Sequence, residues 1–338
     1  MRNLFKAIFA VAAIVSLNAA AFGQIGYSIT DNNRDVTNLP QQYYQFDLAT
    51  GQGTLISQLS LNGQTIRREY EGLASIGSAL YGVAEFDTEL CNTGSDPVTG
   101  LASDLRLFRT PGTYPQANGV SGPIGPQIGE TCFPSGFTEA AAAYNATDGW
   151  IYAIASDDTL PANAPRSRLF RISPTTGLAT QIGSGATAAG LIKTADSQGG
   201  DENPYFDGLA VTADGRIFAS ENRFNNNAGA NGAIYQLFAT GANAGRARFI
   251  TNTLPTDVNR DTGLAAFGNT LYLLLEDGRV YTITDLTPGP AGTAKATALV
   301  FPLGNPANSN TLSTPGCLST GAFCGDLEGF DIPVLPIR

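Results

Sequence analysis

The stretch that decides the fold runs from Asp207 to Glu221 and reads DGLAVTADGRIFASE. A short run of small and apolar residues, Gly208 to Val211, meets a polar turn at Thr212 to Arg216. A second apolar run, Ile217 to Ser220, follows directly. Two runs of strand length on either side of a turn that carries Gly215 spell a β-hairpin, with glycine supplying the backbone angle the reversal needs. The same phrase recurs three times, as Glu71-Gly-Leu-Ala to Leu80-Tyr81-Gly-Val, Glu139-Ala-Ala-Ala to Ile151-Tyr152-Ala-Ile, and Thr262-Gly-Leu-Ala to Leu271-Tyr272-Leu-Leu.

Reading outward, each hairpin is followed by a third strand ending in a polar turn: Leu105 to Thr110, Arg168 to Ser173, Gly232 to Phe238, and Arg279 to Thr284. Turns such as Ser173-Pro-Thr-Thr-Gly177 and Ala239-Thr-Gly241 then lead into a fourth strand, Ala179 to Ile182 or Arg248 to Thr251. The N-terminal region starts in mid-unit, with Tyr27 to Thr30 as a second strand, Tyr43 to Leu48 as a third and Thr54 to Leu59 as a fourth. The missing first strand stands at the other end, in Leu327 to Ile332.

Units of 50 to 70 residues with four strands each suit radial blades, which leave only short, protected edges. The sequence therefore predicts an all-β protein, a β-propeller of four-stranded blades whose ring is closed by the C-terminal strand. The count is five blades, or six if a long insertion conceals one. A sandwich or solenoid would use the same strands but would not explain why the last segment resembles the missing first one. The repeat runs without a linker, so residues 24–338 are read as a single propeller domain.

Residues 1–23 carry Arg2 and Lys6, an apolar run from Ala7 to Leu17, and small residues ending Ala21-Phe22-Gly23. This is the pattern of a signal peptide. The mature protein is expected to be exported, periplasmic or extracellular, and monomeric, and no apolar run approaches the roughly 20 residues of a membrane-spanning helix. Without Arg2 and Lys6, 17 basic residues face 29 acidic ones, a net charge of −12. An acidic protein of this kind is a poor partner for nucleic acid.

Four cysteines in an exported chain, Cys91, Cys132, Cys317 and Cys324, read as two disulfides among three pairings. Cys317 with Cys324 closes a short loop and leaves Cys91 with Cys132. A zinc site is the rival, but there is no CxxC spacing and no histidine.

In such blades the start of strand one and the end of strand two share a face. That face collects the long loops, 85–104, 156–167, 221–231, 119–138, 184–205 and 304–326, while the opposite face has tight turns. Long loops in a compact domain are usually functional or mobile. The same face gathers acids. Glu71, Glu139, Asp207 and Glu328 stand at the entrance to strand one, the strand nearest the axis, and Asp261 lies just before Thr262. Two carboxylates about 6 Å apart repel by about 3 kcal/mol at an effective dielectric near 20. Such a ring must protonate in part, stay wet or hold a cation, and oxygen-only ligands in an exported chain point to Ca²⁺. Alternatively, each acid caps the backbone N–H groups of its neighbour and needs no ion. A second set, Asp31, Glu85, Glu221 and Glu276, ends second strands farther from the axis and reads as solvated rim. Asp31 to Asp35 matches only the opening of a calcium loop.

The absence of histidine excludes Ser-His-Asp, Cys-His and histidine-metal chemistry. Neither a GxSxG, an SxxK, a P-loop nor a GxGxxG arrangement is present. Around Asp207 to Glu221, and at Glu71-Gly72 and Glu328-Gly329, the chain resembles calcium-dependent lactonase propellers of the gluconolactonase type and phytase-like esterase propellers. That resemblance implies Glu71, Asp207 and Glu328 as metal ligands beside a polarised carbonyl or bound water. The resemblance places no asparagine ligand of the lactonases on this sequence, and a phytase-like reading has only Lys193 and Lys295 in the mature chain, with Arg34, Arg223 and Arg260, to meet phosphate. The leading expectation is an exported propeller that binds a small molecule, glycan or protein and carries a structural Ca²⁺. The alternative is a metal-dependent lactonase, esterase or phosphoesterase on the same acidic face.

Overall fold

The computed structural model describes residues 24–30, 42–61, 64–65, 70–77, 79–84, 105–109, 121–123, 127–129, 139–157, 160–161, 163–197, 200–221, 232–251, 262–287, 295–299, 311–313 and 327–333. Their strands fall into five sheets. The first contains β1 (Ile25–Thr30), β2 (Gln42–Asp47), β3 (Gln52–Leu61) and β4 (Gln64–Thr65). The second contains β5 (Tyr70–Ile76), β6 (Ala79–Ala84), β7 (Leu105–Arg109) and β9 (Gln127–Gly129), while β8 (Ser121–Pro123) pairs with β3 of the first. The third runs β10 (Glu139–Asn145), β11 (Trp150–Ser156), β12 (Ser167–Ile172) and β13 (Ala179–Ile182). The fourth has β15 (Phe206–Val211), β16 (Ile217–Glu221), β17 (Ala233–Phe238) and β18 (Arg246–Thr251), with β14 (Ile192–Lys193) added in parallel outside β18. The fifth runs β19 (Thr262–Phe267), β20 (Thr270–Leu275), β21 (Val280–Thr284) and β22 (Lys295–Ala298).

The last strand, β23 (Leu327–Asp331), pairs antiparallel with β1, so that Tyr27 faces Asp331 and Thr30 faces Leu327. The C-terminal strand supplies the inner strand of the N-terminal sheet, as the displaced repeat required. The five inner strands touch in a closed circuit, β23 to β5, β10, β15, β19 and back to β23. The molecule is an all-β β-propeller.

The packing explains the apolar runs. A blade is covered on both faces, so successive side chains of one strand serve two different interfaces. Ile217 and Ala219 of β16 join Tyr152 and Ile154 of the third sheet, whereas Phe218 between them joins Leu271 and Leu273 of the fifth. Five apolar clusters result, each filling the space between two adjacent sheets. Burying a side chain such as Phe218 contributes about 1.5–3 kcal/mol.

Near the axis the demand is for small residues. A Cβ on Gly72 would lie 2.9 Å from the Ala142 Cβ, one on Gly208 2.8 Å from the Leu264 Cβ, and one on Gly263 2.7 Å from the Phe330 Cβ. A Cβ on Gly329 would collide with the Glu71 carbonyl oxygen. The glycine that follows Glu71, Asp207, Thr262 and Glu328 is thus a packing requirement between neighbouring inner strands. Its counterpart in β10 is the alanine run Ala140 to Ala143, wholly buried.

Candidate functional site

The predicted acids divide into those the structure places and those it does not. Asp261, all four cysteines, Asp31, Glu85 and Lys295's side chain lie outside the described residues, and of Glu139 only the backbone, at the start of β10, is described. Glu71, Asp207 and Glu328 are each buried at the start of an inner strand. Their strands bulge there: pairing with the second strand passes over Glu71 between Tyr70 and Gly72, Asp207 between Phe206 and Gly208, and Gly329 beside Glu328. A bulge re-aims the extra residue. Glu71 reaches the next sheet, where its carboxylate accepts the Ala140 backbone N–H. The Glu328 carbonyl accepts the Ser28 hydroxyl at 2.7 Å, and in the third and fourth sheets Ser156 and Ser220 make comparable buried bonds, to the Phe206 carbonyl and to Thr262.

At this level the axis is tight. Glu71 and Asp207 border a gap shared with Gly208, Gly263 and Gly329 that is too narrow to admit a water molecule. Among the described residues, no three acidic or cysteine side chains group closely enough to hold a metal ion.

Glu221 differs from its expected place on a solvated rim. It is 1 % exposed and accepts a hydrogen bond from the Tyr235 hydroxyl at 3.1 Å, while that hydroxyl accepts the Asp201 N–H at 2.7 Å. The reason lies in the segment leading into β15, which folds back along the outer edge of its own sheet. Lys193 pairs with Glu202 at 2.7 Å, Arg248 with Asp196 at 2.6 Å, and the Ser197 hydroxyl receives the Phe249 N–H. A stretch expected to serve as a binding loop therefore seals an edge strand. Asn145 of the sequon-like Asn145-Ala-Thr147 is also buried, with its Oδ1 accepting the Thr147 N–H and hydroxyl as a turn brace.

The room along the axis is at the opposite end. A cavity of about 230 Å³ lies where the five inner strands finish, walled by Ser75, Ala143, Leu209 to Val211, Leu264 to Ala266, and Asp331. Every inner strand contributes to it. Ala146, Thr147, Ala213 and Gly268, on the tight turns, are exposed and form its mouth. The wall is mainly alkyl, with hydroxyls from Ser75, Tyr144, Thr147 and Thr212.

One carboxyl interrupts that wall. Asp331 is partly exposed as a residue, yet its Oδ2 is buried and takes no hydrogen bond. Burial raises its pKa from 3.8 to about 7, against the opposing hydrogen bonds from Ser75 and the Ile332 backbone. Neither feature lies on a long loop. Their signals in the sequence are Asp331 between Phe330 and Ile332 in an inner strand, and Ala143, Ala210, Ala265 and Ala266 near the far ends of three others.

No family model matches the chain, and no curated protein matches it. Solved structures similar to it include an exo-beta-1,3-galactanase from Clostridium thermocellum, at 13 % identity and a TM-score of 0.45, covering 82 % of this chain and 64 % of that one. A GH43_1 enzyme from Xanthomonas citri has 10 % identity and a TM-score of 0.43, covering 82 % and 84 %. The Dos1 propeller has 13 % identity and a TM-score of 0.32, covering 72 % and 52 %. The chain thus spans less than two thirds of the galactanase and about half of the Dos1 chain. The class that fold and site define is a β-propeller with an axial cavity at its plain end. Among the described residues no helix is long and apolar enough to cross a membrane.

Proposed function

We propose that this chain is an exported binding propeller that holds a small molecule in the axial cavity bounded by its inner-strand ends. The observation carrying this reading is the participation of all five inner strands in one cavity with an exposed mouth. Mostly apolar walls with a few polar groups are the usual make-up of a small-molecule site. The volume is about that of seven or eight liquid waters, which sets the scale of the ligand.

Benzyl alcohol is a suitable neutral probe. It should bind saturably and raise the melting temperature, because a ligand taken up only by the folded state stabilises it. Ala213→Phe, placing a bulky side chain at the exposed mouth, should weaken that binding. Absence of binding by the unsubstituted protein, or full binding by Ala213→Phe, would sink the proposal.

A structural Ca²⁺ at the acid end remains a separate proposal, supported by the burial of Glu71, Asp207 and Glu328 at inner-strand entrances. The Glu71 to Ala140 hydrogen bond favours the architectural use of the same carboxylate. The hydrolase alternative requires lactone, ester or phosphoester turnover that disappears in Glu71→Gln or Asp207→Asn.

A further inference from the structure

Asp331 gives the cavity a chemical preference that its size alone does not. Its carboxyl sits in a wall otherwise made of alkyl groups and hydroxyls, and the other titratable group there is Tyr144. Ser75 and the Ile332 N–H hydrogen-bond the carboxyl, while Oδ2 is buried and receives no donor from the protein. A buried carboxylate without a cation is costly, and an ammonium group within a few ångströms offsets that cost far more effectively in an apolar cavity than in water. An anionic ligand would meet the opposite: repulsion from Asp331 and no lysine or arginine in the wall to receive it. The chain as a whole, at a net charge of −10, also draws cations.

We propose that the cavity selects a compact organic amine, its apolar body against Ala143, Leu209 and Leu264 and its ammonium group beside the Asp331 carboxylate. This rests on the cavity being the binding site and adds the ligand's class. Selectivity would come from charge pairing at one wall, while the alkyl surface accepts hydrocarbon bodies of more than one shape.

The test compares benzylamine with benzyl alcohol by calorimetric titration of the mature chain at about pH 8, where Asp331 is mostly ionised. The amine should bind at least about tenfold more tightly than the alcohol, a gap of about 1.4 kcal/mol. Asp331→Asn should erase that gap while still binding the alcohol. The two-probe comparison on the unsubstituted protein does not depend on the variant folding. Equal affinity for both probes, or a preference that survives Asp331→Asn, overturns the amine assignment and leaves the cavity reading standing. No binding of either probe overturns both.

Discussion

The Glu71 carboxylate accepts a hydrogen bond from the backbone N–H of Ala140, tying the second sheet to the third where the inner strands crowd the axis. One carboxylate thereby answers a buried donor at the first residue after Glu139. Removing an acceptor from a buried N–H costs about 1–3 kcal/mol. Glu71→Ala should lose that much stability in urea unfolding. Glu71→Gln, whose amide oxygen can still accept, should lose less. Equal losses would mean that charge, and not the hydrogen bond, is what the site uses.

Gly329 and Gly77 make a controlled pair. Both have positive φ, at 49° and 60°, but a Cβ on Gly77 meets nothing, whereas on Gly329 it strikes the Glu71 carbonyl oxygen. Gly77→Ala should cost about 1–2 kcal/mol from backbone strain alone. Gly329→Ala should cost several kcal/mol or prevent folding, since β23 cannot retreat without opening the ring. Unfolding midpoints for the two variants decide the matter, and similar losses would contradict the close approach.

Asp331 makes a pH prediction with an uncommon sign. Its folded pKa, about 7, lies above its unfolded value, so the native state holds the proton that the unfolded chain releases. Its contribution to stability is therefore full below about pH 4 and is lost as pH rises towards 7. Asp331→Asn removes this dependence. Relative to the parent protein the variant should gain stability across that window, by up to about 4 kcal/mol. Melting curves at several pH values check this, and a constant difference would show that Asp331 ionises normally.

Calcium gives a clean thermal test. An ion bound only by the folded chain raises its melting temperature, by an amount that grows with ion concentration. If the buried acids serve only the backbone, as Glu71 does with Ala140, then EDTA and excess Ca²⁺ should leave the curve unchanged. A rise with Ca²⁺ that disappears in Asp207→Asn would establish the metal.

The fold was legible because its causes are local and repeated. Gly208, Gly215 and the runs around them announce a hairpin, and Glu328-Gly329 repeats Glu71-Gly72 closely enough to reveal the displaced strand. Side-chain direction was less legible. Period-two alternation describes a regular strand, but β5 and β15 bulge at Glu71 and Asp207, and a bulge depends on the neighbouring sheet. Glu221 was misplaced for a similar reason: its burial depends on Tyr235 and on residues 192–197 and 200–202 lying along the sheet edge, a tertiary event with no local signature. The cavity was hidden because it is made by what is missing, the longer side chains that Ala143, Ala210, Ala265 and Ala266 do not have at the ends of three inner strands.

The binding site proposed for this protein lies at the plain end of the axis, and a crystal structure of the mature chain grown with benzylamine would show it. The aromatic ring is expected between Ala143, Leu209 and Leu264, with the nitrogen beside Asp331. Benzylamine seated instead among the long loops at the acid end, with this cavity holding only water, would contradict it.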